Sequence, residues 1–329
     1  MKQAFETLFG KAFIGDSLEL LESLEDGSVN LVITSPPFSL QRKKDYGNAE
    51  QHEYIEWLAQ FARIIHRKLC DDGSFVLDIG GAYEKGVPVR SLYNFRVPIY
   101  LCDELNFFLA QDFYWFNPSK LPSPIEWVNK RKLRAKDAVN NLWWFSKTPW
   151  PQADISKVRV EYSRRMKKLL EDPERFYSPA KRPSGHEIGT AFARDNGGAI
   201  PSNLLQIPHT ESNGQYLSGC KAVGVEPHPA RFPAKIPEFF IRFLTDRGDL
   251  VVDIFGGSCT TGQVAEAEER RWITCDLIPE FVAAGVFRFF PEFDEVRARD
   301  VYGKIMKGAT VDLRDLAAPK QTGLFGLSP

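Results

Sequence analysis

Six residues, Val29-Asn30-Leu31-Val32-Ile33-Thr34, are followed one residue later by two prolines, Pro36 and Pro37. A run this apolar and β-branched reads as a buried parallel strand. Proline cannot donate to a sheet ladder, so the strand has to end there, and the turn beyond it is stiff. Ser35, the Pro36 carbonyl and the ring of Phe38 are then held in fixed directions just past a strand's carboxyl end, where open α/β sheets bind their ligands. The turn offers a hydroxyl, a backbone acceptor and an aromatic face. A plain strand with a rigid loop is the competing account of the same residues.

The chain around this strand alternates. Ala12–Asp16 reads as a short strand ending at a carboxylate, and Ser17–Leu24 as a helix capped by Asp16 or Ser17. Tyr54–Leu69 keeps helical spacing, Ser74–Ile79 is a further buried strand, and Tyr93–Leu109 is a helix bent near Pro98. Phe113–Phe116 and Asn141–Phe145 are strands joined only by a loop, hence antiparallel. This order predicts an α/β fold, with a mostly parallel sheet and helices on both faces. From Asp154 to about Cys220 buried strands vanish, and basic residues gather among Gly-Pro-Asn-Ser clusters, the pattern of a loop-rich insert. The α/β pattern then returns with helix Ile236–Leu244, strand Asp249–Phe255, a Gly-rich turn, helix Gln263–Glu269, strand Arg271–Asp276 and helix Glu280–Phe290.

Bulk properties exclude several classes. A net charge of −1 gives no global nucleic-acid signal, so any such contact must be local. Five scattered cysteines with no Cys-x-x-Cys pair argue against a disulfide framework and a zinc site, and no metal is expected. A reducing cytoplasm is the natural setting. No apolar run is long enough for a membrane span, and Met1–Lys11 lacks a signal-peptide pattern.

The second landmark is Asp253-Ile-Phe-Gly-Gly-Ser-Cys-Thr-Thr-Gly262, with Asp276 ending the next strand about twenty residues on. Glycines let backbone approach a ligand, and the second acid suits a ribose diol. Asp253 puts negative charge where a pyrophosphate would sit, which disfavours NAD, as does the glycine spacing. It suits a ligand with an ammonium and a sulfonium, S-adenosyl-L-methionine. Asp253, Phe255, Gly256, Gly257, Ser258, Thr260 and Asp276 are the expected cofactor residues. Asp16 fits as an acceptor for the adenine amino group, with helix capping as its simpler role.

Taken together, Thr34-Ser-Pro-Pro-Phe38 and Asp253–Gly262 resemble the catalytic and cofactor motifs of the DNA amino-methyltransferases. The Ser35 form is typical of cytosine-N4 enzymes, since adenine-N6 enzymes usually carry an acid or Asn there. His228-Pro-Ala-Arg-Phe-Pro233 resembles the segment before the cofactor strand and adds Phe232 and Pro233. The likeness covers roughly residues 12–290. Two departures stand out: Ile254 where the family has Pro, and Cys259 where it has Gly or Asn. No cysteine follows a proline, which excludes cytosine-C5 chemistry.

The resemblance implies a Rossmann-like class I methyltransferase in the circularly permuted β arrangement. Residues 1–150 and 221–300 would form a discontinuous catalytic and cofactor-binding domain, 151–220 an inserted target-recognition module and 301–329 a tail. It implies that Ser35 Oγ and the Pro36 carbonyl accept from the amine of a flipped cytosine, with Pro37 fixing the turn and Phe38 stacking. The partner would be double-stranded DNA with a short palindrome such as CAGCTG, contacted by Arg42, Lys43, Lys44, Lys130, Arg131, Lys132, Arg164, Arg165, Lys181, Arg182 and His186. Asn203, Gln206, Glu211 and Asn213 are further candidates for base readout. The chain would act as a monomer in the cytoplasm, with a restriction endonuclease as functional partner. Adenine-N6 transfer and a non-catalytic nucleotide- or DNA-binding protein are the alternatives.

Overall fold

The computed structural model describes residues 1–38, 53–173, 194–209 and 214–314. Ten strands form one sheet: β1 Lys2–Glu6, β2 Gly10–Ile14, β3 Val29–Thr34, β4 Leu69–Gly80, β5 Phe108–Phe116, β6 Val139–Ser146, β7 Leu204–Gln206, β8 Leu250–Asp253, β9 Arg271–Asp276 and β10 Val311–Asp312. Their order is β10-β1-β2-β9-β8-β3-β4-β6-β5-β7. The centre, β2-β9-β8-β3-β4, is parallel throughout, while β6 runs against both β4 and β5. The helices are α1 Ser17–Ser23, α2 Tyr54–Lys68, α3 Tyr93–Leu105, α4 Arg164–Glu171, α5 Gly214–Val223, α6 Lys235–Leu244, α7 Thr260–Ala267, α8 Pro279–Gly285 and α9 Glu295–Met306.

Successive side chains of a strand face opposite ways, and two neighbours in β6 show what covers each face. Trp143 meets Phe95 of α3, whereas Trp144 meets Phe243 of α6. Burial on both faces is why β3 and β8 read as continuous apolar runs. A core cluster joins α2 and α3 to β3, β4 and β8 through Leu58, Ile65, Val97, Val32, Leu77 and Val252.

Several expected boundaries move. The helix expected at Gln263–Glu269 is Thr260–Ala267, starting three residues earlier. Thr260, Thr261 and Gly262 resemble turn residues by type, but Gly262 lies in the helix, where it is a close-packing residue: an added Cβ would come within 2.9 Å of Trp272. The Glu280–Phe290 helix is α8 followed by a 3₁₀ turn, Val286–Phe289. β1, β7 and β10 were not expected at all; each is five residues or fewer and borrows its stability from a neighbouring strand. β7 also corrects the reading that strands are missing as far as Cys220. It pairs with β5, and α5 buries Tyr216 and Cys220 beyond it.

By contacts, the described residues of Met1–Ala153 and of the chain from Asn203 onward form one compact unit, and those of Asp154–Ser202 a second. The second begins with a 3₁₀ turn, Ile155–Val158, and contains α4, capped by Ser163. Val160 and Ala199 exchange backbone hydrogen bonds of 2.9 and 2.8 Å, closing its ends on each other. Among the described residues no helix is long and apolar enough to cross a membrane.

Candidate active site

β3 and β8 are neighbours, paired at Leu31 with Val251 and Val32 with Val252, although two hundred residues separate them in sequence. Their carboxyl ends open into one cavity of about 510 Å³. Ser35, Pro36, Pro37 and Phe38 line it from one strand; Asp253, Phe255, Gly256, Gly257, Ser258 and Thr260 line it from the other. Asp16, Phe232 and Asp276 complete the expected set. Pro233 is buried beside Phe232 and does not line the cavity.

The proline turn is held from below by β4. Ser35 Oγ donates to Asp78 Oδ2 at 3.0 Å, and Asn140 Nδ2 donates to Asp78 Oδ1 at 3.1 Å. Asp78 is 4% exposed, and burial pushes its carboxyl up to about 6 against those two donors. With its proton directed at Asp78, the Ser35 oxygen keeps lone pairs for another donor. The Phe38 ring lies over Gly80, where a Cβ would come within 2.6 Å of it. Tyr93 fixes that glycine by donating its hydroxyl to the Gly80 carbonyl.

The glycine turn is held by its two acids. Asp276 accepts from the Gly257 amide at 2.9 Å and from the Ile278 amide at 3.0 Å, bending the chain around the end of β9. Gly257 has φ +47°, and an added Cβ would come within 3.0 Å of the His228 ring. Cys259 is left-handed too, at φ 60°. That conformation comes easily to Gly and Asn, and Cys259 adopts it with a Cβ. Burial raises the Asp276 carboxyl, opposed by its backbone donors. Asp16 accepts from the Leu18 amide at 2.8 Å, so it caps α1 and also faces the cavity.

Asp253 does something the sequence did not suggest. Its Oδ1 accepts from Thr34 Oγ1 at 2.7 Å and from the Phe255 amide at 3.1 Å, and its Oδ2 from Thr261 Oγ1 at 2.6 Å. Thr34 in turn accepts from the Phe255 amide at 3.2 Å. The carboxyl is 1% exposed and pushed up to about 6 by burial. Asp253 therefore ties the last residue of β3 to the first turn of α7.

Sequence reasoning missed Asp78, Thr34 and the aromatic wall from α2 and α8. Trp57 and Phe61 pack on Phe255 with centroids 5.6 and 5.2 Å apart, and Phe281 packs on His228 at 4.5 Å. Only Asp78 left a signal, as a carboxylate inside an otherwise apolar strand.

These features suit S-adenosyl-L-methionine. The turn brings backbone to the cavity wall, three carboxylates reach a largely apolar space, and Arg231 is the one lysine or arginine among the described residues that line it. Among the described residues no cluster is placed to hold a metal ion.

The expected DNA contacts divide. Arg42, Lys43, Lys44, Lys181, Arg182, His186, Glu211 and Asn213 lie outside the described residues. Lys130 and Arg131 are exposed and pair with Glu126 at 3.2 and 3.0 Å. Lys132 is exposed beside them. Arg164 and Arg165 open α4, the end where a helix dipole disfavours cations, so helix stability does not explain them. Asn203 is committed to the fold, donating to the Asp112 carbonyl at 3.0 Å, and Gln206 ends β7. His209 is structural as well: its ring stacks on Trp115 and contacts the Arg231 carbonyl.

The comparisons with known proteins agree with this geometry. A family model described as DNA methylase matches residues 29–286. The type II methyltransferase M.PvuII of Proteus hauseri is 64% identical over 96% of this chain and 94% of its own length. A solved structure titled PvuII DNA methyltransferase (cytosine-N4-specific) superposes with TM-score 0.78 at 56% identity, covering 95% of this chain and 98% of that one. The protein TTHA0409 of Thermus thermophilus, solved in complex with S-adenosyl-L-methionine, shares the fold at TM-score 0.50 and 19% identity, over 93% of this chain and 98% of its own.

Proposed function

The chain belongs to the DNA methylase family, and from that premise we propose that it methylates the exocyclic N4 of a cytosine flipped out of double-stranded DNA. The methyl donor is S-adenosyl-L-methionine, which supplies a methyl group activated by a sulfonium. The observation that carries the reading is the Ser35 hydroxyl, donating to Asp78 from inside the cavity that also holds the glycine turn.

The amine of cytosine is a poor nucleophile because its lone pair is delocalised into the ring. Two acceptors that draw its N–H groups out of the ring plane localise that lone pair. Ser35 Oγ and the Pro36 carbonyl are such a pair, and the prolines fix both. They also stabilise positive charge growing on the nitrogen, an effect prepared before the reaction begins. Asp78 keeps the Ser35 proton out of the way, so the oxygen presents lone pairs, and its own ionised form adds favourable potential. The Phe38 ring offers a face for the base, and its backing by Gly80 fixes the ring's height. A base inside a duplex cannot reach such a pocket, hence flipping. On the donor side, Asp276 is disposed to take the ribose diol and Asp16 the adenine amine.

Serine at position 35 favours cytosine over adenine, and so do the 64% identity to M.PvuII and the cytosine-N4 structure. The target carried forward is CAGCTG, methylated at an inner cytosine, in a restriction–modification setting with the endonuclease as a functional partner only. A monomer is the working unit of this reading, since each strand of a palindrome can be modified in turn. Lys130, Arg131, Lys132, Arg164 and Arg165 would contact phosphate and set position rather than sequence.

Plasmid DNA incubated with labelled S-adenosyl-L-methionine and digested to nucleosides tests the reading. Label in N4-methylcytosine is the expected result. Label in N6-methyladenine would reassign the base, and no label in DNA would overturn the proposal.

A further inference from the structure

The proline-rich first part of the loop between β5 and β6, residues 117–125, is not used by the mechanism above. β5 runs in the same direction as β3, since β6 opposes both β5 and β4 while β3 and β4 are parallel. The loop therefore leaves the sheet at the edge where Ser35 and Phe38 stand. It comes close to them: the Lys120 ammonium acts on Asp78, favouring the ionised carboxylate.

The loop is built rather than slack. Asn117 accepts at its carbonyl from the Lys120 amide at 3.2 Å, and Lys136 Nζ donates to the carbonyls of Pro118 and Lys120, each at 3.1 Å. The Asp137 amide donates to the Ser123 carbonyl at 2.9 Å, and Arg90 pairs with Asp137. Pro118, Pro122 and Pro124 remove further freedom. On this ordered frame Leu121 is 80% exposed and Ile125 61%. A large aliphatic side chain held in water on a stiff loop buries nothing within its own fold.

Charge indicates what covers it. Residues 117–138 carry Lys120, Lys130, Arg131, Lys132, Arg134 and Lys136 against only Glu126 and Asp137. A basic loop beside a pocket for a flipped base faces the duplex the base has left. Flipping opens a gap between two apolar base faces, and an aliphatic side chain that enters it recovers part of the lost stacking. We infer that Leu121 is the residue that fills this gap, with the surrounding cations on the flanking phosphates. The inference rests on the flipping reading above.

The test uses the full chain in single-turnover methylation of two oligonucleotide duplexes containing CAGCTG. One is fully paired; in the other an abasic position stands opposite the target cytosine, so leaving the stack costs less. Leu121 is exposed, so Leu121→Ala keeps the fold. The variant should lose roughly tenfold or more on the paired duplex and much less on the abasic one. A wild-type rate on the paired duplex, or an equal loss on both, overturns the wedge while leaving the transferase standing. No methylation of either duplex by the wild-type chain overturns the transferase reading and the wedge with it.

Discussion

The turn after β3 is built on proline and the turn after β8 on glycine, although the two strands are neighbours and the turns line one cavity. The difference follows from what each has to present. Ser35–Phe38 presents side chains and one carbonyl, so it gains from a backbone that cannot move. Phe255–Ser258 presents the backbone itself, so it needs residues without a Cβ and a left-handed Gly257 at φ +47°. Each turn is also braced by a buried carboxyl, Asp78 beneath the first and Asp253 beneath the second, both pushed up to about 6 by burial. Asp78 aims one hydroxyl; Asp253 joins the two turns through Thr34 and Thr261.

Substitutions confined to one turn should separate these jobs. Phe38→Ala removes the stacking face and should slow single-turnover methylation by roughly 100-fold, since a base on an aromatic ring is worth about 1–3 kcal/mol. Ser35→Ala, which leaves the Pro36 carbonyl in place, should cost less, about tenfold. On the other side, Gly257→Val forces a β-branched residue into a left-handed conformation and against His228. Cofactor affinity by calorimetry should fall roughly 10- to 100-fold, from about 1–3 kcal/mol of strain, with DNA affinity in a gel-shift titration unchanged.

Thr34 is the place where both jobs should fail together. Thr34→Val keeps the shape but deprives Asp253 of a donor, at a cost of about 1–3 kcal/mol. Methylation rate and melting temperature should both drop, and Thr34→Ser should restore most of each. A Val variant with wild-type rate would show that the two turns are not coupled through this carboxyl.

The pH dependence is the smallest effect and carries a definite sign. Protonated Asp78 would donate to Ser35 and consume the lone pair meant for the amine, so the single-turnover rate should rise with pH through about 6 and then level. Stability runs the other way. Both carboxyls are raised from the ordinary 3.8, so the folded chain holds more protons than the unfolded chain between 3.8 and about 6. Their contribution is greatest below 3.8 and is lost as pH rises through about 6. Chemical denaturation across that range checks the second claim. A rate that is flat from pH 5 to 8 would remove Asp78 from the mechanism.

Much of this was legible because the central strands announce themselves: buried parallel strands must be apolar, and their ends are marked by Pro36-Pro37 and Gly256-Gly257. Helix α7 was placed late because Thr261 and Gly262 serve Asp253 and Trp272, contacts that sequence spacing does not reveal. β7 was missed because three residues carry no periodicity and exist as a strand only through β5. Asp78 stood in plain view, yet a carboxylate in a buried strand gains meaning only once Ser35 lies 3.0 Å away. Trp57 and Phe281 come from α2 and α8, whose cavity-facing sides depend on packing against the sheet rather than on any motif.

Division of labour between the two turns is the central claim, and the cofactor affinity of Phe38→Ala tests it most directly. Titration calorimetry with S-adenosyl-L-methionine should give the wild-type dissociation constant, from the same preparation whose methylation is slowed roughly 100-fold. An affinity that falls in step with the rate would contradict the account.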